Sequence, residues 1–381
     1  MSKVNSKGGL FALVIGHMAG MIDLGALPIW VGTLISGYGL PAPLAGGLVS
    51  LFLLSVVVAS VVLSPLFHKL NGRWIAPLGF WISALAFFGM TTNDAVVFLA
   101  VMHAIAGFGT GIAISFVHGT MGKTSNPHRS FAMGSTMLGI GMAVFLGVTP
   151  GFIENTQPSS IFVALGTVMA LAATIGTLMF PSAQQEEHSL EMPRFSRQVW
   201  YAIFGIMAMA LVQAMVFSFV ERIADEIGIP TAQLAMIFAV VGIMNIVPPI
   251  LAGLLENRLV PLSVAVVGGL AQAALVLAVT NAGSLPVYFI PLAFMPFVIL
   301  FTHVFVFGFL ARNEPSGRAV AATPAMIMTG SASAPFIGGV LVHLGGFTLL
   351  GFVAAGISLL AFISFALAKR EAAAGQNVAV S

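Results

Sequence analysis

The chain has 381 residues, of which 59% are hydrophobic and only 7% charged, and its formal net charge is +2. Its mean hydropathy is +1.05. Soluble domains carry about 25% charged residues, so this composition excludes a water-facing surface and predicts a multi-pass membrane protein. The small net charge argues against nucleic acid as a partner, and the lack of cysteine excludes disulfides.

Apolar stretches long enough to cross a bilayer recur along the whole chain. Short links rich in Gly, Pro, Asn and Ser separate them. This pattern predicts an all-α protein with twelve transmembrane helices. The predicted spans are 10–36, 42–66, 74–91, 95–119, 130–152, 160–180, 199–221, 231–254, 260–281, 285–310, 319–341 and 345–368.

The positions of Lys and Arg support this count. If successive links alternate between the two sides, 13 of the 14 basic residues fall on the side of the termini, and only Arg222 falls on the other. Loops on the cytoplasmic side are enriched in Lys and Arg, so both termini are expected to be cytoplasmic. The short loops and compact length favour a bacterial inner membrane.

The longest charged interval, residues 181–198, divides the chain in the middle. We interpret it as a cytoplasmic linker between a six-helix bundle over residues 1–180 and a second over residues 199–368. Residues 369–381 form a cytoplasmic tail in this interpretation.

The two halves carry similar landmarks. His68 follows span 2 and Glu256 follows span 8, a separation of 188 residues (256 − 68). Arg129 precedes span 5 and Arg318 precedes span 11, a separation of 189 (318 − 129). Two nearly equal offsets predict a duplicated six-helix unit, which is common in secondary transporters.

The link after span 2, SPLFHKLNGR, resembles the loop between helices 2 and 3 of the major facilitator superfamily, which typically reads G-x-L-x-D-R-x-G-R-R. Arg73 matches the last position, Gly72 lies one position after the second Gly of the pattern and Lys69 is a basic equivalent, whereas Ser64 replaces the first Gly and His68 replaces the Asp. With the twelve spans and the repeat, the likeness covers nearly the whole chain. It implies the superfamily fold of two six-helix pseudo-repeats and transport by alternating access. It also implies a conformational-switch role for His68, Lys69, Gly72, Arg73, Arg129, Glu256, Arg258 and Arg318.

Two further stretches resemble the superfamily in a degenerate form. His103 stands in span 4 where the family often has Arg, four residues before Gly107. Many family antiporters carry a Gly-rich run in helix 5 that ends in Gly-Pro-x-x-Gly-Gly. Span 5 offers Gly134, Gly139, Gly141, Gly147, Pro150 and Gly151. This likeness favours antiport, and hence efflux.

The resemblance implies that helices 1, 4, 7 and 10 line a central cavity. The polar residues predicted there are His17, Asp23, His103, Gln213 and His303, and Asn245 in span 8 completes the candidate set.

Asp23 is the carboxylate that lies far from any predicted helix end. A charged side chain inside the membrane is costly and usually serves function. Burial disfavours the charged form, so Asp23 is expected to bind and release a proton or to contact substrate. The alternative is a permanent hydrogen bond to a neighbouring helix, with Gln213 as the candidate partner because 23 + 189 gives position 212.

The histidines allow two interpretations. An imidazole in a cavity can change charge near neutral pH, but a single His also serves as a hydrogen-bonded packing residue. The histidines include no i, i+4 pair and no Cys partner, so we predict no metal site. His118, His128 and His343 lie at predicted helix ends, where solvation accounts for them. Trp30, near the end of span 1, is either an interfacial anchor or a stacking surface.

The inventory of polar groups limits the substrate. No basic residue falls in mid-span, which argues against multiply anionic substrates, and the chain has only three Tyr and four Trp to bind a sugar. We predict a proton-coupled transporter of a small amphipathic or weakly charged organic compound, monomeric in the bilayer, acting in efflux by antiport. One alternative is proton-coupled uptake of a small organic acid. Another is a non-transporting sensor or assembly factor. The sequence has no P-loop, no HExxH and no Ser/His/Asp set, so we expect neither an enzyme nor a cofactor.

Overall fold

The computed structural model describes residues 5–63, 70–181, 195–256, 258–313 and 323–380, and these ranges contain helices and connecting turns but no strands. In chain order the helices are α1 Lys7–Ser36, α2 Ala42–Leu63, α3 Gly72–Gly89, α4 Val96–Met121, α5 Pro127–Glu154, α6 Ser160–Met179, α7 Arg197–Phe217, α8 Val220–Glu226, α9 Thr231–Met244, α10 Val247–Leu255, α11 Pro261–Thr280, α12 Leu285–Asn313, α13 Thr323–Ala332 and α14 Ala334–Val380.

The helices are consistent with twelve membrane crossings. Within the described ranges, ten helical segments are long and apolar enough to cross a membrane. The last of them, Met326–Ala374, has 49 residues, far more than the roughly 20 that one crossing needs. Its helix α14 is broken at Gly345 and Gly346, where Gly346 has φ 67°, so it provides two crossings. Helix α3 adds an eighteen-residue apolar helix. The prediction of an all-α, multi-pass membrane protein is confirmed.

Proline interrupts the eighth predicted span. Helix α9 ends at Met244 and α10 begins at Val247. Pro248 and Pro249 lack the N–H groups that would continue the hydrogen-bond ladder. Asn245 lies in the gap, where its side chain Nδ2 donates to the carbonyl of Val241 at 2.8 Å.

We call α1–α6 the first half and α7–α14 the second half. The N-terminal side is the side of the membrane at which α1 begins, and the far side is the side at which α1 ends. In the first half α1 packs against α4, α5 and α6. Gly16 and Gly20 allow the close approach to α4, because a β-carbon at these positions would overlap Val117 and come within 2.6 Å of Ile114.

The two halves meet along a surface that we call the far-side seam, formed by α1 with α8, α2 with α14, and α5 with α9. The hydrogen bonds across it between described residues join Arg222 Nη1 to Ser36 Oγ (2.9 Å) and the backbone N–H of Phe336 to Ser50 Oγ (3.0 Å). Helices α2 and α14 come together at Gly46, where a β-carbon would overlap the carbonyl oxygen of Pro335.

Buried apolar side chains in the described ranges form two clusters. The larger includes the first half and the far-side parts of the second half, from Trp30 and Phe52 to Tyr288 and Leu350. The other lies at the N-terminal side of the second half and includes Val199, Leu262, Val306 and Phe365. Apolar packing is therefore continuous between the halves on the far side, and the N-terminal part of the second half packs as a separate core.

Candidate functional site

Asp23 lies near the middle of α1 and is 1% exposed. Its Oδ1 accepts a hydrogen bond from the backbone N–H of Leu24 at 2.9 Å, and its Oδ2 is buried without a partner. Residues three and four apart share a helix face, so Asp23 lies on the face of α1 that presents Gly16 and Gly20 to α4. The carboxylate is thus placed in the apolar interior of the first half.

Gln213, the predicted partner of Asp23, does not hydrogen-bond to it. Gln213 is partly buried in α7, and its own Oε1 has no partner. A permanent hydrogen bond from Gln213 to Asp23 is therefore absent from the structure. Both residues keep an unused acceptor, in different halves of the protein.

His103 is enclosed by aromatic side chains of the first half. Its ring is fully buried and stacks on Trp30, with centroids 5.4 Å apart and planes at 24°, and meets the edge of Phe162. Nδ1 donates to the carbonyl of Leu99 at 2.7 Å, whereas Nε2 has no partner.

Trp30 is 0% exposed and also contacts Phe52 and Phe87. The prediction that it could be an interfacial anchor is wrong, because a membrane anchor must reach the headgroup region. The stacking interpretation is the one that the structure supports.

His17 and His118 form a pair that the sequence interpretation missed. His17 Nδ1 and His118 Nε2 are 2.9 Å apart, and both rings contact Phe131 of α5. Since both nitrogens lie in one hydrogen bond, one ring donates and the other accepts. Solvation at a helix end therefore does not account for His118. The two residues are 101 positions apart, so no local sequence pattern could have revealed the pair.

His303 lies on α12, 5% exposed, and stacks on Phe307 of the same helix with centroids 5.6 Å apart. Its Nε2 has no partner. Gln272, which the sequence interpretation did not select, is 1% exposed and donates to the carbonyl of Met209 at 3.0 Å. That amide joins α11 to α7, so its contacts are those of a packing residue.

The predicted switch residues have different surroundings in the structure. Arg73 Nη1 donates to the carbonyl of Phe180 at 2.6 Å, which ties the start of α3 to the end of α6, next to Gly72. Arg129, Glu256 and Arg258 are exposed. Three predicted switch residues, His68, Lys69 and Arg318, lie outside the described residues. The same holds for residues 182–194 of the predicted linker.

The sequence interpretation did not identify a carboxylate, Glu221, that lies in the far-side seam. Glu221 ends the predicted span 7, but the chain continues as α8, and Glu221 Oε2 is buried without a partner. It lines a cavity of about 180 Å³ between the halves, together with Thr33 of α1, Glu154 of α5 and Asp225 of α8. The signal available in the sequence was an acid next to an apolar run, which hydropathy assigns to a solvated helix end.

The candidate site is therefore a set of separate polar side chains, each with a buried atom that has no hydrogen-bond partner, rather than one cluster. Among the described residues, no group of three or more His, Asp or Glu side chains is placed to hold a metal ion. The groups with an unused buried polar atom include Asp23, His103, Gln213, Glu221 and His303. Such atoms are expensive to bury, so they are the first places to seek function.

The sequence matches the family model described as Major Facilitator Superfamily over residues 13–316. No curated protein matches the sequence. Solved structures share the fold at low identity. A bacterial homologue of the human lysosomal transporter Spinster, in an inward-facing and occupied conformation, aligns with a TM-score of 0.75 and 14% identity, covering 96% of this chain and 98% of that one.

Two further structures are similar to the same extent. A peptide transporter, POT, in complex with sulfate gives a TM-score of 0.73 at 14% identity over 95% of this chain and 94% of its own. A D-xylose-proton symporter gives 0.71 at 14% identity over 94% and 96%. At such identities the likeness shows the fold alone.

Proposed function

The chain belongs to the Major Facilitator Superfamily, and we propose that this transporter couples the movement of a small amphipathic or weakly charged organic compound to protons, with Asp23 as the proton carrier. The family makes the protein a membrane transporter rather than an enzyme. Coupling by Asp23, the direction of transport and the substrate class are our proposals. We further propose efflux by proton antiport as the direction.

The observation that supports the proton carrier is the Asp23 carboxylate itself. It is 1% exposed in an apolar bundle, and Oδ2 has no partner. A buried carboxylate without a partner is far more stable neutral than ionised. A conformational change that hydrates this region of α1 would let the proton leave, which is the property a proton carrier needs. The D-xylose-proton symporter shows that the same fold supports proton coupling.

We propose that residues 1–180 and 199–368 are the two bundles that rock against each other, joined by 181–198 and followed by the tail 369–381. The far-side seam supports this arrangement, because its contacts join first-half to second-half helices and leave a separate apolar core on the N-terminal side of the second half. With both termini cytoplasmic in a bacterial inner membrane, the described conformation would be inward-facing.

The proposed substrate class follows from the side chains of the membrane-spanning helices. The described spans present buried Asp, His and Gln side chains but no Lys or Arg in mid-span. An anion with several charges would therefore meet no cation to replace its water. Apolar and aromatic walls favour an amphipathic molecule, for which one ionisable contact is enough.

Proteoliposomes that contain an entrapped pH-sensitive dye test the proposal. Ethidium, tetraphenylphosphonium, benzoate and lactate are added outside in turn, and internal pH is followed for wild type and Asp23→Asn. We expect at least one compound to move protons in the wild type and Asp23→Asn to abolish this movement. Asp94→Asn, which removes an exposed aspartate in the link before α4, is the matched control and should couple normally.

The sign of the pH change separates the two directions. Protons moving against the compound establish antiport, and protons moving with benzoate or lactate establish uptake by symport, the alternative prediction. Normal coupling in Asp23→Asn would assign Asp23 a structural role and direct attention to His103 and His303. A wild-type protein that moves neither compound nor proton would favour the sensor or assembly-factor alternative.

A further inference from the structure

Helix α8 is built into the far-side seam. It follows a break in the backbone helix at Ser218 and Phe219. The hydroxyl of Tyr288 in α12 donates to the carbonyl of Val220 at 2.8 Å. On the other face, Arg222 Nη1 donates both to Ser36 of α1 at 2.9 Å and to Asp225 at 2.7 Å. Opening the far side therefore requires α8 to separate from α1.

The Glu221 carboxylate lies within this contact. It packs directly on Gly32 of α1, so closely that a β-carbon at Gly32 would overlap it. Oε2 is buried and has no hydrogen-bond partner. Glycine at position 32 is thus what allows the carboxylate to fit between α1 and α8 while the seam is closed.

The charged and titratable groups around Glu221 leave it unpaired. Arg222, the adjacent cation, is bonded to Ser36 and Asp225, and the Tyr288 hydroxyl is used by Val220. Glu154 of α5 and Asp225 are exposed acids that line the same cavity. The lining residues from α1 and α9, which include Thr33 and Thr231, carry no charge.

We propose that Glu221 is a second proton-binding site, a latch that must be protonated for the far-side seam to close and that ionises when the seam opens. The inference rests on the proposed proton-coupled function. The physical reason is desolvation: an ionised carboxylate at this position would keep Oε2 buried without a hydrogen-bond partner. A neutral carboxyl group fits the same space at much lower cost.

The latch differs from the proposed carrier Asp23 in where its proton goes. Glu221 gains its proton from the far-side solution through the cavity lined by Glu154 and Asp225, and returns it to the same solution when the seam opens. The latch therefore moves no net charge across the membrane. Closure of the far-side seam then depends on the pH of the far-side solution. In a transporter driven by inward proton movement, the far-side seam closes faster when that solution is acidic.

Distance measurements between spin labels test the latch without any substrate. The protein has no native cysteine, so Gln157→Cys and Gly283→Cys place one label on each half at exposed far-side links, and Gly283 has open space around it. The labelled protein is reconstituted in nanodiscs and its distance distribution is recorded by pulsed electron paramagnetic resonance from about pH 5 to about pH 9.

We expect the short-distance, closed population of the wild type to fall as pH rises, by up to about tenfold in the closed-to-open ratio per pH unit for one coupled proton. Glu221→Gln should remain closed at every pH. Glu226→Gln, which removes an exposed acid at the end of α8 that is not among the residues lining the cavity, should respond like the wild type. Glu221→Asp should restore a pH response.

Three results would overturn the inference: a Glu221→Gln protein that responds to pH like the wild type, one that is more open than the wild type at low pH, or a wild type that does not respond. If Glu221→Gln does not fold, Gly32→Ala provides a second test, since its β-carbon displaces the carboxylate and should open the seam at low pH. A wild type that moves no protons in proteoliposomes refutes the proposed function instead, because the distance assay needs no transport.

Discussion

Gly46→Ala is expected to open the far-side seam. Gly46 of α2 faces α14, and a β-carbon there would overlap the carbonyl oxygen of Pro335. A backbone carbonyl cannot turn aside as a flexible side chain can, so α2 and α14 must separate for the methyl group to fit. The neighbouring Gly47 offers a matched control, because its β-carbon would lie 3.6 Å from Phe336 Cδ2, an ordinary contact.

The magnitude follows from the cost of overpacking. Inserting a methyl group into a well-packed contact costs about 1–3 kcal/mol, and each 1.4 kcal/mol corresponds to about tenfold in an equilibrium constant. Gly46→Ala should therefore shift the closed-to-open ratio about 5- to 150-fold toward open. Both substitutions gain about 1 kcal/mol of helix propensity. The difference between the closed-to-open ratios of the two variants therefore measures the cost of the overlap at Gly46.

The assay is the same spin-label pair at Gln157→Cys and Gly283→Cys, measured at a pH where the wild type is closed. Gly46→Ala should show a long-distance population that is absent from Gly47→Ala. Equal distributions for the two variants would refute the reasoning, because they would mean that the approach of α2 to Pro335 does not hold the seam closed. A loss of folding in Gly46→Ala alone would show as aggregation during gel filtration, and would mean that the contact stabilises the fold rather than one conformation.

Two further predictions concern stability and pH. Trp30→Ala should lower the free energy of unfolding by about 3–5 kcal/mol, since it removes a fully buried indole that contacts His103, Phe52 and Phe87. Thermal unfolding in detergent measures this change. The control is Trp200→Ala, which should change stability little because Trp200 is 48% exposed. Burial, and then the charge of Asp94, raises the pKa of Tyr38 in the link after α1 from 10.0 to about 12. Because the unfolded tyrosine ionises first, its stabilising contribution is complete below pH 10.0 and is lost as pH rises through about 12. The difference in absorbance titration between wild type and Tyr38→Phe measures the pKa of Tyr38, and Asp94→Asn should lower that pKa. A Tyr38 pKa near 10.0 in the wild type would contradict the burial of this side chain.

Sequence was sufficient wherever the membrane itself imposes the rule. Backbone groups inside a bilayer must be hydrogen-bonded within the protein, and a helix achieves this within its own segment, so an apolar run of sufficient length predicts a helix without knowledge of its neighbours. The spans could be recognised on that basis, and the resemblance to the superfamily followed from the loop motif and the repeat. The burial of Asp23 was predictable from its position far from both ends of its span, since an ionisable side chain there is too costly to face lipid.

Only the tertiary structure decided which polar groups are paired, which are enclosed and which remain without partners. His118 and Glu221 both lie at ends of predicted spans, where hydropathy indicates solvation. One is hydrogen-bonded to His17 of α1, and the other packs against Gly32 of the same helix. Trp30 is likewise buried by aromatic rings from α2, α3 and α4. Solvation at a helix end depends on helices remote in sequence, and a one-dimensional pattern carries no information on which of them will cover it.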